Sequence, residues 1–212
     1  MPEREIEWGP YIVAEDVAAL VDASARRHGL PPNVLRAHVV AESHVNGRVR
    51  PAARAQTEHE DSVGLLQLNR DGGQGVGYSV AQLSDPAINL EIGTPPIAAA
   101  WAAHPELGHT RARVLRTAAE SGHPGDPSRF RRGSRARQVA ETGTRRVADA
   151  WETLEEWRSD QVEGNGVPLL GVSNEAMQRV VDGVRRDAQR LRPRAAGAVA
   201  VVLVLGLAVA LR

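Results

Sequence analysis

The stretch AHVVAESHVN (37–46) sets a carboxylate into an apolar helical face. Leu35, His38, Val39 and Glu42 fall at i, i+3, i+4 and i+7, which is one side of a helix of 3.6-residue period. A carboxyl flanked by apolar side chains has its charged form disfavoured, so it holds its proton to higher pH. Near the C-terminal end of a helix the macrodipole also opposes a negative charge, and the two effects add. An acid still protonated near neutral pH can hand its proton to a glycosidic oxygen. Spacing alone leaves two other readings open for Glu42: an ion pair with Arg36 or Arg54, or a side chain pointing into solvent.

The elements that must position this residue are mostly helical. A first helix is expected over 14–28, with Val17, Leu20, Val21 and Ser24 inward and Gly29 as its stop. The second, over 32–43, is apolar nearly all round, the mark of a buried helix. Residues 46–61 are polar and irregular, SVGLLQLN (62–69) is a short apolar run, and the glycines of 70–77 predict a loop. Ser79 caps a short helix, and Asp85 followed by Pro86 is a strong helix start. The GTPP at 93–96 is expected to break or kink the chain, with Thr94 capping a new helix that carries Ile97 and Trp101. Another helix is expected over 110–121, closed by Gly122. Convincing strands are scarce, so the fold class is mainly α with a minimal β-hairpin or loop region.

The Pro/Gly-rich, basic run 122–135 predicts the end of a catalytic domain spanning 1–130. A helical extension and linker follow over 131–192, with Val147, Ala150, Trp151, Leu154 and Trp157 at helical spacing and an amphipathic helix over 174–192. The third segment, 193–212, contains the uncharged apolar run 195–211, bracketed by Arg190, Arg192 and Arg194 before it and Arg212 after it. As a helix this run reaches about 25 Å, enough for a membrane anchor if the arginines snorkel. A buried helix or an oligomer contact is the other reading of the same run.

The chain has 212 residues, of which 42% are hydrophobic, enough to bury a core. Basic and acidic residues number 26 each, so net charge offers no argument for a nucleic-acid partner. Cysteine is absent, which excludes disulfides, thiol chemistry and cysteine–zinc sites. The acidic start MPEREIEWGP has no apolar run, and no secretory signal is expected.

Over roughly residues 12–125 the sequence resembles the lysozyme-like lytic transglycosylases. Three stretches in order carry the resemblance: Glu42-Ser43 at the end of a buried helix, Gly64-Leu65-Leu66-Gln67, and Asp85-Pro86-Ala87-Ile88-Asn89. The resemblance implies a lysozyme-like helical domain that cleaves the β-1,4 bond between N-acetylmuramic acid and N-acetylglucosamine in peptidoglycan, without cofactor or metal. It implies that Glu42 is the catalytic acid, that Gln67 lines the glycan groove, and that Gly64 and Leu65 shape the same wall. Ser62 lies beside this wall, one position before Val63, which matches a serine common in the family. Asp85 and Asn89 are expected to be structural, as cap and packing residues. The family's Tyr-Asn-x-Gly corresponds here to Ala119-Glu120-Ser121-Gly122, which puts Glu120 among the groove candidates.

Two chemistries follow from the resemblance. In transglycosylation the sugar's own 6-hydroxyl attacks and an anhydro product forms; in hydrolysis a second carboxylate directs water. Glu58, Glu60, Asp61, Asp71 and Glu120 are the candidates for that carboxylate. The partners expected are peptidoglycan strands and, through 195–211, a membrane. A wall-cleaving domain without a secretory signal fits a bacteriophage virion or lysis protein. The alternative is a non-catalytic virion or membrane protein that keeps the domain to bind glycan.

Overall fold

The computed structural model describes residues 4–57, 60–122 and 131–165. The chain divides into two compact units, Met1–Gly171 and Val172–Arg212. The second unit lies outside the described residues, and with it the helix expected over 174–192 and the apolar run 195–211. Glu58 and His59 lie outside them too.

A hairpin of β1 (Glu5–Trp8) and β2 (Tyr11–Ala14) leads into α1 (Glu15–Arg27) and α2 (Pro32–Ser43). Two short strands follow, β3 (His44–Val45) and β4 (Arg48–Val49), then β5 (Arg54–Thr57), β6 (Glu60–Val63) and β7 (Leu68–Asn69). The remainder is helical: α3 (Val80–Ser84), α4 (Pro86–Ala102), a 3-10 turn (Pro105–Leu107), α5 (Arg111–Glu120) and α6 (Arg135–Asn165). One sheet has the order β1-β2-β4-β3, with β2 and β4 parallel; the other is an antiparallel β5-β6-β7. The fold is therefore mainly α with two small sheets. The strands at 5–14 were not foreseen, because EIEW and YIVA are each too short to display a period.

The helix signals hold at most ends. Ser79 and Gln82 form a reciprocal capping box on α3, and the Asp85 carboxylate accepts from the backbone N–H of Ala87 and Ile88. α2 buries nine of its residues, among them Val34, Leu35, His38, Val39 and Val40. At GTPP the expectation of a break is corrected, since α4 runs on through Pro95 and Pro96. Its buried positions Leu90, Gly93, Thr94, Ile97, Ala100 and Trp101 form one unbroken helical stripe, and Pro95 lies on the solvent side. Packing of that stripe on α1, where Thr94 Oγ1 meets Ser24 Oγ at 2.9 Å, overrides the backbone hydrogen bonds lost to the two prolines.

The boundary expected at 130 is also corrected. α6 packs against α2 and α5, and its Val147, Ala148, Ala150, Trp151 and Leu154 belong to the same core as Val34, Leu35 and Ile97. The Pro/Gly-rich run precedes a helix of the same unit and does not end the domain. Trp157, further along, packs on Gly9 in the β1–β2 turn.

Across this core runs a polar seam. Arg36 holds Asp22 with two hydrogen bonds of 2.8 and 2.6 Å, donates to Asn33, and stacks over the Trp8 ring at 5.2 Å. Asn33 continues it to α6 by donating to the Leu154 carbonyl and the Glu155 carboxylate. Arg36 is thus committed to α1, and it is no partner for Glu42.

Candidate active site

Glu42 stands in the last turn of α2, partly exposed, between residues that are buried. The turn that carries it is locked twice. Ser43 Oγ donates to the Val39 carbonyl at 2.7 Å, and the guanidinium of Arg146, from α6, donates to the Ala41 carbonyl. No hydrogen bond or ion pair to the Glu42 carboxylate is found among the described residues, so neither of the arginine pairs left open by the sequence forms. Loss of solvation pushes the Glu42 carboxyl up from 4.5 to about 7; Arg146 pulls the other way, and the negative charge of Glu60 adds to the rise. Protein surrounds most of the group while an opening to water remains, as a proton donor to an external substrate requires.

The β5–β6–β7 sheet supplies Glu60, the carboxylate whose charge acts on this group. Glu60, exposed at the start of β6, accepts a 2.7 Å hydrogen bond from the buried hydroxyl of Ser62. Ser62 therefore orients Glu60. Asp61 points to other work: Arg54 and Arg70 bind its two oxygens at 2.8 and 2.5 Å and hold it below the usual carboxylate range. Asp71 is exposed on the loop that follows β7. Glu120 is spoken for at the end of α5, where His104 Nε2 lies 2.7 Å and Arg116 Nε 2.5 Å from it. The charges that act on Glu42 are Arg146 and Glu60, and Glu120 is not among them.

The Gly64–Gln67 stretch is a tight turn seated on α4. Gly64 has φ +88°, and a Cβ there would stand 2.1 Å from Asn89 Nδ2. Asn89, wholly buried, donates to the carbonyls of Val63 and Leu83 and accepts from the Leu66 N–H, each at 2.8–2.9 Å. The structural role expected of Asp85 and Asn89 is what these bonds display. Leu65 is fully buried, so it backs the turn from the core and its side chain lines no open wall. Gln67 sits at φ +45° and spends its amide on the carbonyls of Ala53 and Gly64, both at 2.9 Å. It braces the turn against the segment before β5.

Arg146 is the residue that sequence reasoning missed. It lies 105 positions from Ala41, in a helix whose apolar spacing was legible but whose docking partner was not. Beside it, Tyr11, Val40, Ala41, His44, Asp149, Ala150 and Thr153 line a depression of about 260 Å³. Among the described residues no group of three or more His, Cys, Asp or Glu is arranged to hold a metal. Among them, too, no helix is long and apolar enough to cross a membrane. No family model matches the chain, and no curated protein or solved structure is similar to it at a meaningful level.

Proposed function

We propose that this protein is a peptidoglycan-cleaving glycosidase built on a lysozyme-like domain, with Glu42 as its general acid and base. One observation carries the reading: a carboxyl without a hydrogen-bonding partner among the described residues, desolvated enough to hold its proton to about pH 7, yet open to water at the end of a buried helix. Protonated Glu42 gives its proton to the glycosidic oxygen as the C1–O bond breaks. Two completions are open. In the first, the 6-hydroxyl of the muramic unit attacks C1 and returns a proton to Glu42, leaving an anhydro end. In the second, water attacks C1 and loses its proton to Glu60, leaving a reducing end. Glu60's charge acts on Glu42 and Ser62 holds that carboxylate in place, which makes Glu60 the candidate base for hydrolysis, where a second carboxyl directs water.

A second reading, glycan binding without cleavage in a virion or membrane protein, is favoured by the state of Gln67 and Leu65. Both were expected in the groove, and both are engaged inside the fold. The same experiment separates the two. Wild-type full chain and Glu42→Gln are run on a peptidoglycan zymogram, and soluble products are weighed by mass spectrometry. Clearing by wild type with loss of at least a thousandfold in Glu42→Gln supports catalysis; equal clearing by both, or none by wild type, overturns it. Reducing ends mean hydrolysis and anhydro ends mean transglycosylation.

The setting is also a proposal, resting on sequence. The apolar run 195–211 would hold the enzyme at a membrane, and delivery as part of a phage particle or lysis system would bring it to the wall. A reporter fused after Arg212 tests whether the segment spans a bilayer and in which direction.

A further inference from the structure

α6 does more than fill the core. Its Arg146 reaches the one turn of α2 that bears Glu42 and donates to the Ala41 carbonyl, next to Glu42 in the chain. Carbonyls in the last turn of a helix have no partner within the helix, and the C-cap His44 N–H takes only that of Val40. A cation supplied there satisfies an orphan acceptor and opposes the negative end of the dipole. We propose that Arg146 is a positioning residue for Glu42, fixing the last turn of α2 through the Ala41 carbonyl and setting a positive charge beside the carboxyl. The inference rests on the catalytic reading of Glu42 for its purpose, though not for its geometry.

The purpose follows from what an acid must do once it has given up its proton, whichever group takes the next one. Burial, the α2 dipole and Glu60 all hold the proton on Glu42. Unopposed, they would leave a carboxyl that stays protonated through the cycle. After giving up its proton Glu42 is an anion in a poorly solvated place, and it must persist long enough to accept the next proton. Arg146 is the charge that makes this anion tolerable. The other titratable groups around the turn are His38 one turn earlier on α2, His44 just past its end, Glu60 on β6, and Tyr11 and Asp149, which share the depression with Arg146. Among the described residues, Arg146 is the cation whose charge acts on Glu42.

The test is a direct titration in the full-length protein. With glutamate labelled by ¹³C at the side-chain carboxyl, the Glu42 resonance is identified by its disappearance in Glu42→Gln. Arg146→Gln should raise the Glu42 midpoint by about one pH unit or more, while Arg146→Lys should stay near wild type. In peptidoglycan clearing, Arg146→Gln should lower kcat at least tenfold with little change in KM, and its alkaline limb should move to higher pH. An unchanged midpoint in a folded Arg146→Gln overturns the proposal. If Arg146→Gln does not fold, Glu60→Gln serves in its place. There the Arg146 attraction is the remaining charge effect, and raising the ionic strength should move the Glu42 midpoint upward. No movement overturns the proposal. Wild type that clears no peptidoglycan, with the midpoint still shifting in Arg146→Gln, would remove the catalytic reading and leave the positioning intact.

Discussion

Asn89 occupies the space in which residue 64 would carry a side chain. A Cβ on Gly64 would meet Asn89 Nδ2 at 2.1 Å and the Leu83 carbonyl oxygen at 2.2 Å, at a φ of +88° that side chains disfavour. The turn 64–67 and helix α4 are therefore one unit, built by mutual fit. Gly64→Ala should destabilise the protein by roughly 2–5 kcal/mol, measured by chemical denaturation, because both clash and backbone strain act. Asn89→Ala should cost about 3 kcal/mol by removing three buried hydrogen bonds, those to the Leu66 N–H and to the Val63 and Leu83 carbonyls. The double variant should cost less than the sum by more than about 1 kcal/mol, since removing Asn89 relieves part of the clash. Simple additivity would show that the fit is not mutual.

Glu42 should make stability depend on pH in a predictable sense. Its carboxyl ionises near 4.5 when unfolded and near 7 when folded, so the folded state binds more protons between those values. The contribution of Glu42 is fully present below pH 4.5, falls as pH rises, and is lost above about 7. The upper limit of this loss is about 3 kcal/mol, reduced by whatever water reaches the carboxyl. Glu42→Gln should therefore raise Tm relative to wild type at pH 8 and give little or no gain at pH 4.5. A constant difference between the two pH values would contradict the raised proton affinity.

Cleavage should follow the same group. With Glu42 as proton donor, kcat should decline as pH rises above about 7. Glu60→Gln removes a negative charge that raises Glu42, so the alkaline limb should move to lower pH. If Glu60 also directs water, kcat should drop by at least a hundredfold in the same variant. A limb that moves without that drop would make Glu60 an electrostatic neighbour only.

The Asp22–Arg36 pair should be costly to break. Both side chains are largely buried, and the fork is bidentate between α1 and α2. Asp22→Ala should destabilise by about 3–5 kcal/mol because it leaves the Arg36 guanidinium without its anion. Replacing both residues by apolar ones of similar size should recover most of that loss, read again from denaturant midpoints.

A chain cut after residue 130 should not fold. It would lack Val147, Ala148, Ala150, Trp151 and Leu154, which fill the core against α2 and α5. A flat far-UV melt and the loss of dispersed amide resonances would register this; a cooperative melt in the cut chain would show the core to be complete without α6.

Much of this arrangement is local and was legible in the residues themselves. The apolar stripe of α2 with Glu42 in it, the Ser79 and Asp85 caps and the stop at Gly29 depend on periodicity and capping within a few positions. The continuity of α4 through Pro95 and Pro96 was not legible, because a tertiary stripe against α1 decides it. A short strand such as Glu5–Trp8 carries too few residues to show alternation, and it forms because β2 lies beside it. The site divides along the same line. Sequence determined that a carboxyl would sit on a buried face near the end of a helix. Only the tertiary structure decided which charges face it, since Arg146 arrives from a helix 105 positions away and Glu60 from a separate sheet, and neither distance leaves a trace in local spacing.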